Sequence, residues 1–302
     1  MNQPTSFPAV IDSSMLHDFK QCPIKFANTY VSHWKPKQPS VHLHAGAAFA
    51  RGLEVARRAF YELNHSAEDS VAAGLGALMT AYGDFAAPEG SAKSLERMCG
   101  ALEFYFANYP LGPGDGSPIE VPALGRAIEY NFVLPLPINH PETGEPLQFC
   151  GRWDGIINFA GGVFGLDDKT ATQLGQSWGR QWILRSQFTG YAWAAQQYGM
   201  RLDGFVIRGV SILKTKYDTA QVLIYRPEWQ IERWYTEMLD WIADMIECYQ
   251  TGSWRHNLDT ACSDYGGCGF LDVCDSPDPA SYLERDFERR AWDPLTRQET
   301  KL

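Results

Sequence analysis

Residues 149–170 have the sequence FCGRWDGIINFAGGVFGLDDKT, and they predict the architecture of the chain better than any other stretch. Two apolar runs flank Ala160-Gly161-Gly162, and a glycine-rich break between such runs is typical of a β-hairpin. If the strands turn at Gly161-Gly162, then Asp154 lies opposite residues 167–169, within about one residue.

The second strand of this hairpin carries three charged residues in a row. Asp167 and Lys169 share one face of the strand, whereas Asp168 points to the other face. The hairpin therefore brings the carboxylates of Asp154 and Asp167 to a single ammonium. Carboxylate oxygens suit Mg²⁺ or Mn²⁺. Such a metal would activate a water, and Lys169 would orient that water or neutralise charge developing on a phosphate.

A predicted helix over residues 182–198 adds two polar side chains. Gln187 and Tyr191 are four residues apart and lie on one helix face. Gln187 could bind the metal-site water or a phosphate, and Tyr191 could stack on DNA or donate a hydrogen bond to it. Ordinary surface charges on the hairpin and ordinary packing of the helix are the competing interpretations, because Asp-x-Lys alone is a common sequence.

Four of the seven cysteines form a second pattern. Cys262, Cys268 and Cys274 are separated from one another by five residues, with Gly266-Gly267 allowing a tight loop. Three thiolates leave a metal cluster one ligand short, and Cys22 is the natural fourth. Thiolates suit an iron–sulfur cluster or zinc, so a 4Fe-4S cluster is favoured, with zinc or no metal as alternatives. The remaining cysteines, which fall in apolar patterns and are predicted to be buried, are Cys99, Cys150 and Cys248.

The order of predicted elements indicates an α/β protein. Ser13-Ser14 is expected to cap a short helix that runs towards Cys22. Helices then precede a mainly antiparallel sheet with one inserted helix, and a long helix and the cysteine-rich segment follow. The further predicted helices are 47–63, 67–85, 92–109, 182–198 and 227–250, the predicted strands are 127–134, 149–159, 163–170, 205–213 and 220–225, and a Gly/Pro-rich break covers 111–118.

Composition narrows the class of protein. The chain has 302 residues and 45% hydrophobic content, enough for a large core. Its net charge of -10 argues against a protein that coats nucleic acid through bulk charge, although locally clustered basic residues are compatible with a DNA channel. No apolar run reaches the length of a membrane span, and residues 1–10 lack a secretory signal, so a cytoplasmic protein without membrane association is expected.

Five motifs in this order resemble those of the PD-(D/E)XK nucleases, in the RecB-like branch that carries an iron–sulfur cluster. That branch includes the CRISPR-associated adaptation exonucleases, the AddB nuclease domain and their phage-encoded relatives. The motifs are Ser14, Leu16, Phe19, Cys22, Pro23, Lys25 and Phe26; Gly151 to Asp154; Asp167, Lys169 and Thr170; Gln187 and Tyr191; and the C-terminal cysteines.

The resemblance implies a restriction-endonuclease-like core, in which helices flank a central mixed sheet. A helical N-terminal insertion and a C-terminal iron–sulfur clasp would be added to it. The implied organisation is a single nuclease domain over 1–275, with half of the clasp in 1–45, the insertion in 46–117, the core in 118–250 and the cysteine-rich half of the clasp in 251–275, followed by a polar tail in 276–302.

The resemblance also implies roles for the residues already singled out. Asp154 and Asp167 would bind the metal, Lys169 would be catalytic, and Gln187 and Tyr191 would position the DNA. The four cysteines would hold a 4Fe-4S cluster. The implied activity is metal-dependent exonuclease cleavage, with single-stranded DNA ends as the favoured substrate, in recombination, repair or processing. Relatives act beside a helicase or a recombination or integration protein, and some form ring-like oligomers.

Two departures from the family pattern qualify this picture. Relatives usually carry a histidine metal ligand where this chain has Ala50, although Glu54 survives one turn later as a candidate metal ligand. The spacing after Cys262 is also longer than the commoner Cys-x-x-Cys. The missing histidine supports an alternative, a weak or inactive nuclease-fold module that binds DNA or a partner. A structural zinc-binding protein with fortuitous acidic residues is a third hypothesis.

Overall fold

The computed structural model describes residues 6–38, 40–122, 125–263 and 267–302. Gly266, which the predicted cysteine loop includes, lies outside the described residues. The helices are α1 (Ser13–Gln21), α2 (Pro23–Phe26), α3 (Val41–Tyr61), α4 (Ala67–Tyr82), α5 (Leu95–Asn108), α6 (Gln176–Arg180), α7 (Ser186–Gln197), α8 (Glu228–Thr251), α9 (Thr260–Ser263), α10 (Leu271–Cys274) and α11 (Pro279–Asp286), with a π-helical turn at Ala27–Val31. The strands are β1 (Val10–Asp12), β2 (Trp34–Pro36), β3 (Glu120–Val121), β4 (Gly125–Arg126), β5 (Ile128–Asn139), β6 (Pro146–Phe159), β7 (Gly162–Ala171), β8 (Gly204–Ile212), β9 (Tyr217–Ile224), β10 (Phe287–Asp293) and β11 (Gln298–Lys301).

Side-chain caps fix the starts of several helices. Asp12 caps α1 in place of the predicted serine pair, because its carboxylate accepts from the backbone N–H groups of Ser14 and Met15 at 2.7 and 2.8 Å. Ser66 caps α4 by accepting from the N–H of Asp69 at 3.0 Å. None of the described helices has both the length and the apolar character needed to cross a membrane.

The main sheet has the strand order β1-β6-β7-β8-β9, and β5 also pairs with β6. It is mixed, because β1–β6 and β7–β8 are parallel whereas β6–β7 and β8–β9 are antiparallel. The expected mixed α/β sheet is therefore confirmed, with two antiparallel and two parallel pairs along this order. The inserted helix α7 is the crossover between β7 and β8, and such a crossover returns the chain in the same direction.

The β6–β7 hairpin closes with a two-residue loop. Phe159 pairs with Gly162, so the turn consists of Ala160 and Gly161, one residue earlier than the predicted turn. Their φ angles are 49° and 79°, and two left-handed residues match the right-handed twist of a hairpin. This ladder ends at the pair of Gly155 with Leu166, so Asp154 approaches β7 at the level of Asp167, as predicted.

The chain divides into two compact units. The first comprises residues 1–38, 132–151 and 229–302, and the second comprises 39–131 and 152–228. In the second unit, α3 and α4 pack closely because two glycines face each other. A Cβ atom on Gly74 would lie 2.6 Å from the carbonyl oxygen of Gly52, so no larger residue fits there without moving the backbone.

The first unit contains an ordered C-terminal segment. Residues 276–302, the predicted polar tail, contain α11, β10 and β11, and β10 pairs with both β2 and β11. Phe287 is buried and stacks on Phe270 with 4.8 Å between ring centroids. The guanidinium of Arg289 lies 3.8 Å from the centroid of the Trp34 ring. These contacts hold the segment in place. The many charged residues in its sequence do not predict them.

Lys93 in the second unit gives a stability prediction. Its side chain is 3% exposed, and its Nζ has no hydrogen-bond partner among the described residues. Burial lowers the pKa of Lys93 to about 8 from 10.5. Because the folded pKa is the lower one, the unfolding free energy is highest above pH 10.5, falls as the pH drops from 10.5 to 8, and stays at the lower level below pH 8.

We therefore expect Lys93→Met to raise the free energy of unfolding by roughly 2–3 kcal/mol at pH 7. The gain should shrink as the pH rises from 8 towards 10.5, where the wild-type lysine becomes neutral in both states. Urea titrations at pH 7 and pH 10 measure it, with the exposed Lys216→Met as the control that gains nothing. An equal gain at both pH values would contradict burial of an unpaired ammonium.

Candidate active site

The predicted acidic residues meet on the β6–β7 hairpin of the second unit. The backbone N–H of Asp168 donates to Oδ2 of Asp154 at 2.8 Å, which fixes the Asp154 carboxylate against β7. Asp167 is 2% exposed, and Nζ of Lys169 lies 2.6 Å from its Oδ2. The structure therefore brings Asp154, Asp167 and Lys169 together as the sequence predicted.

Helix α7 supplies Gln187 and Tyr191 to the same place. Nε2 of Gln187 donates to Oδ1 of Asp167 at 3.3 Å and to the hydroxyl of Tyr191 at 3.1 Å. The Tyr191 ring is buried and lies 5.7 Å from the ring of Trp153 between centroids. A buried ring is not available to stack on a base, so the hypothesis that Tyr191 stacks on DNA is corrected. Its place is behind Gln187, as a support.

Glu129 is an acidic neighbour that the sequence analysis missed. It is 7% exposed, has a left-handed φ of 50°, and pairs through Oε2 with Nε of Arg152 at 2.6 Å. A non-glycine residue with such a φ is uncommon and is often found at functional sites. One signal in the sequence could have revealed it, namely a single acid in an otherwise apolar strand start, because burying an acid is costly.

Electrostatics couple these acids to one another. Burial raises the pKa of Asp167, with Lys169 opposing and Asp154 adding to the rise. Burial also raises the pKa of Glu129, and the charge of Asp154 adds again. Burial alone would lower the pKa of Lys169, but Asp167 and Asp154 outweigh it and raise that pKa. The site therefore concentrates negative charge that a cation would relieve.

Asp168 lies on the opposite side of β7, as predicted, in a buried network. Its Oδ2 lies 2.7 Å from Nη2 of Arg57, and its Oδ1 accepts from the hydroxyl of Tyr105 at 2.6 Å. Nη2 of Arg57 also donates to that hydroxyl at 2.9 Å. Because Arg57 belongs to α3 and Tyr105 to α5, Asp168 ties both helices to the strand that carries the candidate catalytic residues.

Helix α3 also carries Glu54, the candidate metal ligand, and Ala50, which stands at the position of the usual family histidine. Oxygens of Glu54 pair with Arg51 at 2.7 Å and with Arg58 at 3.1 Å, while its charge contributes to the raised pKa of Glu129. Ala50 lies on the helix face between Gly46, which approaches Thr170, and Arg57. This face is directed towards β7, so a methyl group stands where relatives are expected to have an imidazole.

The four predicted cluster cysteines all belong to the first unit. Burial raises the pKa of Cys274, and the charges of Cys268, Cys22 and Cys262 add to the rise, which shows that the thiols are electrostatic neighbours. Sγ of Cys22 accepts from the backbone N–H of Asn257 at 3.4 Å. The two ends of the chain thus meet at Cys22, and the donor set has the chemistry of a thiolate cluster.

Neither donor set is preassembled as a closed metal site. Within the described ranges, no three His, Cys, Asp or Glu side chains come close enough together to hold a metal ion. In the acidic site, ammonium and guanidinium groups occupy carboxylate oxygens, as Lys169 does on Asp167 and Arg152 on Glu129. The chemistry of the donors fits a hard divalent cation there and a thiophilic metal or cluster at the cysteines.

Comparison with known proteins gives one family match and two structural similarities. Residues 13–275 match a model described as the PD-(D/E)XK nuclease superfamily. A crystal structure from Eubacterium rectale, described only provisionally as an exonuclease, shares 13% identity and a TM-score of 0.45, covering 84% of this chain and 87% of that one. The structure of SSO0001 shares 13% identity and a TM-score of 0.26, covering 63% and 74%. No curated protein matches the sequence.

Proposed function

Because the chain belongs to the PD-(D/E)XK nuclease superfamily, we propose that it hydrolyses phosphodiester bonds of DNA with Mg²⁺ or Mn²⁺. Asp154 and Asp167 would hold the metal, with Glu129 added as a nearby third carboxylate. The observation that carries this proposal is the buried carboxylate of Asp167, paired at 2.6 Å with the half-buried Lys169 and lying beside the carboxylate of Asp154. Surface charges do not explain a cluster of buried acids.

When bound, a divalent metal supplies a water of lowered pKa and a charge that screens the phosphate. The chain's own residues do the rest. Lys169 keeps its proton, because the neighbouring acids raise its pKa, and so it acts as a donor to a phosphate oxygen or to the attacking water. Gln187 holds Oδ1 of Asp167 in place. The phenol of Tyr191 stays protonated, because burial raises its pKa to about 12, and it fixes Gln187.

The proposed substrate is the end of a DNA strand, favoured in single-stranded form, and the proposed setting is recombination, repair or processing beside a helicase or integration protein. End-labelled single-stranded and double-stranded DNA, incubated with Mg²⁺ or Mn²⁺, tests the activity, and the label position gives the polarity.

The methyl group of Ala50 on the face directed to β7 favours a second candidate, a nuclease-fold DNA-binding module. Binding of the same DNA without cleavage by either metal would select that candidate.

The proposed second cofactor is a 4Fe-4S cluster on Cys22, Cys262, Cys268 and Cys274. Its support is the contribution of the other three thiols to the raised pKa of Cys274, together with hydrogen bonds between the segments around residues 22 and 256. The N–H of Ile24 donates to the carbonyl oxygen of Arg255 at 3.2 Å, and Nδ2 of Asn257 donates to the carbonyl oxygen of Gln21 at 2.8 Å. A cluster there would staple these segments and would have a structural role.

We expect Cys268→Ser to abolish the brown colour and visible absorbance of protein that is purified without oxygen. Loss of one of four thiolates leaves the cluster incompletely ligated. Iron and sulfide analysis beside the absorbance spectrum measures the change. Cys99→Ser, at a half-buried cysteine in the other unit, is the matched control and should keep full colour. A colourless wild type that contains stoichiometric zinc would replace the cluster with a zinc site.

A further inference from the structure

A cavity of about 440 Å³ opens in the second unit where α3 ends. This volume is within the range of sites that bind small molecules. It contains none of the side chains assigned above to hydrolysis. The residues that matter for its chemistry are Phe60, Tyr61, His65, Pro113, Ser117 and Arg126.

The walls of the cavity are held in place by hydrogen bonds. The hydroxyl of Tyr61 donates to the carbonyl oxygen of Gly112 at 2.9 Å and accepts from its N–H at 3.3 Å. On the other side, the N–H of Gly116 donates to the carbonyl oxygen of Asn158 at 2.7 Å. The Gly/Pro-rich segment is therefore clasped between α3 and the catalytic hairpin, and the cavity is preformed.

Aromatic and cationic side chains in the lining determine which class of ligand the cavity suits. The rings of Phe60 and Tyr61 lie 4.9 Å apart between centroids at 85°, and both are only half-buried, so ring surface faces the opening. Arg126 adds a fixed positive charge, and His65 is an exposed imidazole beside it. Among the described residues that line the cavity, none is acidic. This combination suits a flat aromatic ligand that carries a phosphate.

The cavity also lies close enough to the acidic site for one DNA strand to reach both. Arg126 precedes Glu129 by three residues, which span at most about 10 Å of extended chain. Successive nucleotides of a stacked strand are about 3.4 Å apart. A strand whose phosphate lies at the acidic site would therefore have another nucleotide, at most about three positions away, at the cavity.

We propose that this cavity binds one unpaired base of the DNA strand, within about three nucleotides of the bond that is cleaved. The proposal rests on the proposed nuclease function. It adds the feature of the DNA that the protein would recognise, which is an unpaired base. A base in a duplex is already paired and stacked on its neighbours, so it cannot enter. An unpaired base can leave its stack, lie against the rings of Phe60 and Tyr61, and place a phosphate near Arg126.

The test uses single-stranded oligonucleotides that contain 2-aminopurine at one position at a time. Fluorescence of this base falls when it stacks on an aromatic ring. Binding is measured in the Lys169→Ala variant with Mg²⁺, where hydrolysis does not interfere, so the result is independent of whether the wild type cleaves DNA. We expect quenching at one internal position, within about three nucleotides of the end bound at the acidic site.

Variants of the cavity give the matched comparison. Tyr61→Ala should abolish the position-specific quenching and raise the Kd for single-stranded DNA between about 5-fold and 100-fold, the usual cost of losing one stacked base. Tyr225→Ala, at a 57% exposed tyrosine, should change neither quantity. If Tyr61→Ala does not fold, Arg126→Gln replaces it and should lower the salt dependence of binding by about one counterion.

Two results would overturn the proposal. One is oligonucleotide that binds but shows no quenching at any position. The other is a Tyr61→Ala or Arg126→Gln variant, correctly folded, whose Kd and salt dependence equal those of the parent. Cleavage of DNA by the wild type together with either result would retain the nuclease function and remove the cavity from it.

Discussion

Lys169→Ala is expected to lower the rate of DNA cleavage by about a hundredfold to a thousandfold. The ammonium lies 2.6 Å from Asp167 and is available to donate to a phosphate in the candidate site. Neighbouring acids raise its pKa, so its charge is present throughout the neutral range. Replacing it removes a charge-assisted donor beside the buried carboxylate of Asp167, and such a donor contributes more where access of water is limited.

The measurement is single-turnover degradation of an end-labelled single strand with saturating Mg²⁺, which isolates the chemical step. Lys216→Ala is the control, because Lys216 is an exposed lysine of the same unit and is expected to leave the rate unchanged. Circular dichroism checks that both variants remain folded. A folded Lys169→Ala enzyme with more than half of the wild-type rate would remove Lys169 from the mechanism.

Asp168→Ala is expected to lower the free energy of unfolding by about 3–5 kcal/mol. The side chains of Asp168 and Arg57 are 3% and 7% exposed, and their atoms lie 2.7 Å apart. Removing the carboxylate leaves a buried guanidinium without its counter-charge and deprives Tyr105 of its acceptor. A loss of that size is a large part of the stability of a typical domain.

Urea denaturation measures the loss, and Asp84→Ala, at an exposed aspartate, is the control that should lose little. The double variant Arg57→Met with Asp168→Leu removes both charges and should recover most of the stability, because no buried charge is then left without a counter-charge. A single-variant loss below about 1 kcal/mol would mean that water reaches this pair and that Asp168 does not tie α3 and α5 to β7.

Local patterns in the sequence were enough to predict the hairpin and the side chains on it. A glycine-rich break between apolar runs fixed where the chain turns to within one residue, and strand alternation placed Asp167 and Lys169 on one face. These features depend on neighbours in sequence, and turn chemistry and the two-residue period of a strand are local properties. The order of the motifs predicted the superfamily for the same reason. Each motif is short, so it can be recognised from residues that are neighbours in the sequence.

Contacts between segments that are distant in the sequence decided the features of the fold and the site that local patterns did not predict. Glu129 joins the acids because β5 lies against β6, and Asp168 finds Arg57 and Tyr105 because two helices cover β7. The parallel pairing of β7 with β8 follows from a helical crossover that alternation alone does not reveal. The folded C-terminal strands and the cavity at Tyr61 likewise need tertiary packing.

The sequence by itself thus determined which residues carry the candidate chemistry of the hairpin. Only the tertiary structure decided which buried charges surround them, because burial and charge coupling are set by segments that are remote along the chain.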